Sequence, residues 1–227
     1  MSFCLVELYT CMQLKKAFNF LRSLPDKLNH FFIKRIKSRI IIKNKSKDKK
    51  NFDPVTNLDQ AFEKYIRSLI NKNFPNDAII GEEFKDKNST NYFTWSIDPI
   101  DGTKAFVIGA PTWSNLISLS YQEKSLLGLV HDKKLTKIIG KFGPQFRIAS
   151  FDALNFCLLA EGKVDAVIEG NLKPYDILPL IPIIRNSGGI VSNWKGEPAE
   201  KGGNIIASSN RKLHKKILKL LKPFTKK

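Results

Sequence analysis

Four carboxylates fall within twenty residues of one another, in Gly81-Glu82-Glu83 and in Asp98-Pro99-Ile100-Asp101-Gly102-Thr103. The second group follows an alternating stretch, Tyr92 to Ile97, that reads as a strand. Like charges held a few ångströms apart raise each other's pKa, so acids gathered at strand ends are costly unless a cation sits among them. With no His or Cys nearby, the donors are oxygen only, which suits a hard ion such as Mg²⁺ or Mn²⁺ and argues against zinc. Pro99 fixes a turn in which Asp98 and Asp101 can face one point and leaves the Ile100 carbonyl free as a further oxygen. Gly102 permits close approach of backbone to a phosphate, and Thr103 adds an amide and a hydroxyl. Taken alone, Asp-x-x-Asp-Gly-Thr also reads as an acidic turn capping a helix at Thr103.

The flanking pattern predicts a layered α/β fold. A helix is expected around Leu14 to Leu24, ended by Pro25-Asp26. Asn57 and Gln60 read as a capping box for an amphipathic helix over about 58–72, with Phe62, Ile66, Leu69 and Ile70 at helical spacing. Ala78 to Ile80 is a short strand. Leu116 to Tyr121 and Leu126 to Val130 form a hairpin across the turn Gln122 to Ser125. Ser150 caps a helix through Leu159, Val164 to Ile168 is a strand, and Ile177 to Asn186 is a helix stopped by Gly188-Gly189. Asn204 to Ala207 is the last strand, and Leu213 to Leu221 an amphipathic tail helix.

The net charge of +17 is segregated. Residues 51–200 carry −2, whereas 1–50 and 201–227 together carry +19. The expected organisation is a basic N-terminal region with a helix (1–50), a central domain (51–208) and a basic C-terminal helix (209–227). The basic ends, Lys34 to Lys50 and Arg211 to Lys227, admit an RNA, DNA or anionic lipid partner, but they carry no interleaved stacking aromatics. A solvated lysine-rich surface is the favoured account of them, and no specific nucleic acid is expected. Cys4, Cys11 and Cys157 are an odd number without metal spacing, so the chain is expected in a reducing, cytoplasmic setting. No run of 18 apolar residues exists to span a membrane.

The tract Trp95-Ser-Ile-Asp98-Pro-Ile-Asp101-Gly-Thr103 resembles the signature of the inositol monophosphatase family. Three further blocks occur in the family's order: Asp53-Pro-Val-Thr56-Asn-Leu-Asp59, Gly81-Glu82-Glu83-Phe84, and Lys173-Pro174-Tyr175-Asp176 followed by Ser187-Gly-Gly-Ile-Val191. The wording of Lys104 to Trp113 and Pro174 to Ile184 is similar to the histidinol-phosphate phosphatase branch. The resemblance implies an αβαβα sandwich and a lithium-sensitive, Mg²⁺-dependent phosphomonoesterase with two or three ions, Mn²⁺ being an alternative. It implies that Glu82, Asp98 and the Ile100 carbonyl hold one ion and that Asp98, Asp101 and Asp176 hold a second. Thr103 with Asp53 would orient the attacking water and Glu82 would assist its activation. The amides of Gly102 and Thr103 would cradle the phosphate, so that Glu82, Ile100, Asp101, Gly102, Thr103, Glu169 and Asp176 line the substrate site. Glu83 would stand behind these ligands or contact a third ion, and Asp176 could also cap the helix after it.

Glu169 matches a position that meets the non-phosphate part of the substrate, where a carboxylate suits the ammonium of histidinol phosphate or a hydroxyl of inositol monophosphate. Asp152 is the next candidate. A homodimer is compatible with the family. Between Val130 and about Phe146 the chain is several dozen residues short of the family pattern, so the second layer is expected to be incomplete. Two other readings follow: a shortened relative that binds metal or phosphate without turnover, and a basic protein that associates with nucleic acid or membrane.

Overall fold

A computed structural model describes residues 2–47, 52–89, 91–110, 113–131 and 152–225. The chain divides into two units, Met1–Ile40 and Ile41–Lys227, ten residues earlier than the charge pattern suggests. The first unit is one helix, α1 (Ser2–Arg35), which continues through Pro25 where a stop was expected. Pro25 has no N–H to give the Leu21 carbonyl, a cost of up to about 3 kcal/mol in a helix interior. The apolar period Ala17, Leu21, Leu24, Leu28 runs straight across it, and that periodicity outweighs the local breaker. Lys34 and Arg35 close α1 at the negative end of its dipole. Among the described residues no helix is long and apolar enough to cross a membrane.

The second unit opens with a small antiparallel pair, β1 (Ile42–Asn44) and β2 (Pro54–Thr56). Helix α2 (Asn57–Asn73) follows, but its capping box sits one residue earlier than expected: Thr56 is the N-cap and Asp59 its reciprocal partner. Asp59 has a shorter side chain than the usual Glu or Gln, yet its Oδ2 accepts from the Thr56 amide at 2.8 Å and from the Thr56 hydroxyl at 2.5 Å. The first sheet has the order β3-β4-β5-β6, comprising β3 (Ala78–Gly81), β4 (Phe93–Asp101), β5 (Ser114–Tyr121) and β6 (Lys124–His131). β3 is parallel to β4 and the other neighbours are antiparallel. The β5–β6 turn is tighter than anticipated, with Gln122 and Glu123 both at positive φ, as a two-residue hairpin of native twist requires.

Short α3 (Thr103–Val107) follows β4, and α4 (Asp152–Ala160) opens the second half. The expected cap Ser150 and nearly all of the shortened stretch 131–146 lie outside the described residues. Strand β7 (Ala166–Leu172) leads into α5 (Pro174–Ile177) and α6 (Leu180–Asn186), two pieces where one helix was expected. The division falls at Leu178-Pro179, where proline cannot continue the ladder. Strands β8 (Ile190–Asn193) and β9 (Gly203–Ser208) complete a second sheet of order β7-β9-β8, antiparallel throughout.

Helix α2 packs on β4, α5 and α6 pack on the first sheet, α4 and α6 also meet the second sheet, and α7 (Arg211–Leu221) covers β9. The order of layers is therefore α/β/α/β/α, with the second sheet three strands wide among the described residues. One apolar core joins the layers: Leu116 of β5, Phe156 and Leu159 of α4, Ile181 and Ile184 of α6, and Ile205 of β9 are all nearly inaccessible.

Candidate active site

Strands β3 and β4 are parallel, so their C-terminal ends share one edge, and the register places Gly81 beside Ile97. The next residues on each strand are Glu82 and Asp98. The ladder with β5 then slips between Asp98 and Asp101, which is where Pro99 cannot donate a hydrogen bond. Three contacts fix this irregular segment. Asp98 Oδ1 accepts from the Ile100 amide at 3.0 Å. Asn115 Nδ2 donates to the Pro99 carbonyl at 2.5 Å. Asp101 Oδ2 receives the Ala153 amide at 3.1 Å and the Ser114 hydroxyl at 3.4 Å, so the positive first turn of α4 faces a buried carboxylate. Gly102 then adopts φ +81°, a left-handed conformation that relieves the chain of a Cβ as it turns into α3. Below this segment Trp95 lies against Phe74 and donates its indole N–H to Asp77 at 2.9 Å, anchoring the strand that carries both acids.

The Glu82 loop is clasped from α2. Glu63, fully buried, accepts the Glu83 amide at 2.6 Å through Oε2 and Arg67 Nε at 2.7 Å through Oε1. Arg67 Nη2 reaches on to the Phe84 carbonyl at 3.2 Å. One ion pair thus satisfies the donor and the acceptor of consecutive loop residues. A side chain at position 81 would collide with the Glu63 carboxylate, which is why glycine stands there. Lys45, immediately after β1, ion-pairs with Glu82 Oε1 at 2.7 Å and Glu83 Oε1 at 2.5 Å.

Asp98 is buried, and its pKa is raised well above the carboxylate range, first by loss of solvent and then by the charges of Glu82, Asp101 and Asp176. Glu82 is the first of the neighbouring acids to press on it, and like charges in so buried a place are relieved by a proton or by a cation. Glu83 is pushed up to about 7, burial outweighing the shared ammonium of Lys45. Burial works against the charge of Lys45 too, but its two carboxylate partners more than offset it and hold the ammonium above its usual pKa. The phenol of Tyr175 is raised by burial and then by Glu82, Asp176, Asp98 and Glu83, which places it among the same acids as a neutral donor. Tyr175 was not singled out from sequence, and nothing in its local pattern marks it apart from adjacency to Asp176.

Several expectations change. Thr103 was paired with Asp53, whereas its hydroxyl lies 3.3 Å from Asp59 Oδ1 and 2.9 Å from the Ile100 carbonyl. Asp53 is exposed, with its amide on Asn44 Oδ1 and its carbonyl receiving the Lys45 amide. Asp59 is buried beside Thr103 because the capping box turns its carboxylate inward, and burial raises its pKa despite the Thr56 bonds. The Ile100 carbonyl, expected to be free, receives the Thr103 hydroxyl. Asp176 is not the N-cap of α5: Lys173 is, because Pro174 takes the first helical position, and Asp176 Oδ2 accepts the Lys173 amide at 2.6 Å. Glu169 is half-buried on β7, just before a bulge that leads to Tyr175 and Asp176. Asp152 opens α4, with its side chain outside the described residues.

Among the described residues no three His, Cys, Asp or Glu side chains are already disposed around a single ion point. The acids surround Asp98 instead, with Glu82 drawn to Lys45 and Asp101 to the α4 amide. By donor chemistry the set still fits a hard divalent cation, since it is all oxygen and its most buried member, Asp98, is pressed upon by the charges of three other acids that an ion would neutralise.

The sequence model of the inositol monophosphatase family matches residues 27–141 and 133–225. The bifunctional phosphatase IMPL2 of Arabidopsis thaliana is 31% identical over 231 residues, covering 77% of this chain and 67% of that protein. A histidinol-phosphatase of Mycobacterium tuberculosis is 27% identical, covering 75% of this chain and 85% of the other. A Thermotoga maritima IMPase superposes with a TM-score of 0.73 at 23% identity, covering 93% and 97% of the two chains. The 231 aligned positions of the first relative take up only 77% of a 227-residue chain, so that relative has residues without counterparts here. The two family matches meet at 133–141, inside the stretch expected to be short. With four ordered motif blocks, the layered fold and the acids gathered at one strand edge, the chain belongs to the inositol monophosphatase family of phosphoric monoester hydrolases, in an internally shortened form.

Proposed function

We propose that this chain hydrolyses a small phosphorylated alcohol, histidinol phosphate first among candidates, with Mg²⁺ held by Glu82, Asp98, Asp101 and Asp176. The observation that carries the reading is the gathering of Glu82, Asp101 and Asp176 about the buried carboxyl of Asp98. Bound divalent ions would neutralise these charges, polarise the phosphate and lower the pKa of an attacking water. The chain's own groups supply the rest. Thr103 holds a hydroxyl between Asp59 and the Ile100 carbonyl, so Asp59, rather than Asp53, is the residue that completes a water-orienting pair. The backbone at Gly102 and Thr103 turns through a left-handed residue into α3 and offers amides to a phosphate. Tyr175 remains protonated among the acids and can donate to a substrate oxygen.

Histidinol phosphate is favoured over inositol monophosphate by the histidinol-phosphatase relatives and by the Glu169 carboxylate, which suits an ammonium. Purified protein with Mg²⁺ is expected to release phosphate from histidinol phosphate faster than from inositol monophosphate, to be inhibited by Li⁺, and to lose turnover in Asp98→Asn. Metal binding by a well-folded protein without phosphate release from either substrate would favour the shortened, non-catalytic reading instead.

A further inference from the structure

Lys45 is one of 38 basic residues and carries no motif, yet among the described residues it is the one that bridges two acids of the site. Its placement is built rather than incidental. The β1–β2 pair delivers it, its amide donates to the Asp53 carbonyl at 2.7 Å, and Asn44 Oδ1 accepts the Asp53 amide at 2.8 Å, closing the segment on itself. On the other side the Glu63–Arg67 clasp fixes the backbone of Glu83, whose side chain is only 4% exposed. A carboxylate so buried needs a cation, and Lys45 is the cation this chain provides.

We propose that Lys45 is a permanent cation of the active site: its ammonium takes the place on the Glu83 side that a third divalent ion would otherwise fill, so the site takes two divalent ions and no more. The inference rests on the metal reading of Glu82, Asp98, Asp101 and Asp176 given above. Its physical basis is exclusion. A divalent ion at Glu83 would have to sit within a few ångströms of an ammonium hydrogen-bonded to the same carboxylate, and like charges at that range repel strongly in a partly buried setting. Two ions gathered about Asp98 avoid that encounter, because Lys45 engages only one oxygen of Glu82 and leaves the other to an ion. Asp53 gains a part as well, since its carbonyl sets where Lys45 emerges.

The test is an equilibrium count of bound Mn²⁺ on the full-length protein, read from the electron paramagnetic resonance signal of the free ion and requiring no turnover. Wild type is expected to bind two ions. Lys45→Met, which keeps the aliphatic stem and removes the charge, is expected to bind three, and Lys45→Arg to return the count to two. Adding Glu83→Gln to Lys45→Met should delete the extra ion. Lys45→Gln serves as a second neutral variant, and melting curves confirm that each protein is folded. An equal count in wild type and both neutral variants, or the loss of an ion when Lys45 is removed, overturns the proposal while leaving the metal reading intact. Binding by none of the proteins overturns the metal reading, and this inference with it.

Discussion

Both sheets bury neutral polar groups, but among the described residues the first buries acids as well. Around the first sheet, beside hydroxyls such as those of Ser96 and Ser118, Asp59, Glu63, Asp77, Asp98 and Asp101 are each less than a tenth exposed. At the second sheet the buried polar groups are neutral: Ser192 of β8, Ser208 of β9 and His214 of α7 form one small network. A buried charge costs far more than a buried hydroxyl unless it is paired. Asp59, Glu63 and Asp77 pay that cost with hydrogen bonds from Thr56, Arg67, Trp95 and Asn91, whereas Asp98 is pressed upon by three more carboxylates. The first sheet therefore holds electrostatic stress where chemistry is proposed, and the second uses its buried polar groups to attach the tail helix.

The largest effect that sharpens this contrast is Asp98→Asn. Its raised pKa means that the charged form destabilises the metal-free fold: the contribution is intact below the unfolded carboxylate pKa and declines as pH rises through the folded value. Removing the charge should therefore raise the metal-free melting temperature at pH 7 by about 2 °C or more. Phosphate release should fall by well over about 100-fold, since even residues behind metal ligands cost 10–100-fold. A metal-free melting temperature that falls instead would show that Asp98 is a stabilising group, and the contrast between the sheets would fail.

Next comes the clasp. Glu63→Ala leaves Arg67 uncompensated and the Glu83 amide without its acceptor, a loss of about 3–5 kcal/mol, to be read from urea unfolding. Glu63→Gln can still accept the Glu83 amide through its carbonyl oxygen and should recover part of that loss. If Glu63→Ala costs less than about 1 kcal/mol, in the range of ordinary surface changes, the loop is held by something other than Glu63.

A smaller, more diagnostic pair separates Asp59 from Asp53. Asp59→Asn should lower kcat by about 100-fold, with about 1 kcal/mol of lost stability from the weakened capping box. Asp53→Asn alters an exposed side chain whose backbone makes the contacts, so both quantities should stay close to wild type. The reverse result would restore the assignment first made from the motif blocks.

The choice between these two aspartates shows where sequence was legible. The Asp98–Thr103 tract could be read because its chemistry is local: proline, bulge, left-handed glycine and hydroxyl follow one another along the chain. The partner of Thr103 lies 44 residues away, and two aspartates of one block competed for the role. Only the phase of the Thr56–Asp59 capping box, misread by one residue, turns Asp59 inward. Glu63 looked like any polar position on α2, and Lys45 like any lysine in a basic run, because a long-range ion pair leaves no trace in local periodicity. Pro25 misled in the opposite sense, a strong local signal overridden by the apolar stripe on both sides of it. The layers and most strands emerged because apolar alternation and period reflect burial directly.

The smallest expected effect belongs to the second sheet. His214 Nε2 lies 2.9 Å from Ser192 Oγ and Nδ1 lies 2.8 Å from Ser208 Oγ. The Ser192 hydroxyl is directed to the Asn193 carbonyl at 2.8 Å, so Ser192 accepts from Nε2–H and Nδ1 accepts the proton of Ser208. Protonating Nδ1 would turn the Ser208 hydroxyl toward the Asn210 carbonyl at 3.4 Å, a poorer bond but an available one. Burial lowers the pKa of His214, so below the ordinary histidine value the unfolded chain binds a proton that the folded one resists. The neutral network's contribution is thus complete above about pH 6.5 and lost as pH falls through the lower folded value. Melting curves between pH 8 and 5 should show a downward slope in that window that is absent in His214→Gln, which can still bond one serine. A wild-type slope unchanged by the substitution would show that His214 does not set the acid sensitivity. The first sheet's raised carboxylates, Asp59, Glu83 and Asp98, work in the opposite sense, since each gains stability on acidification, so the difference between wild type and His214→Gln isolates the histidine.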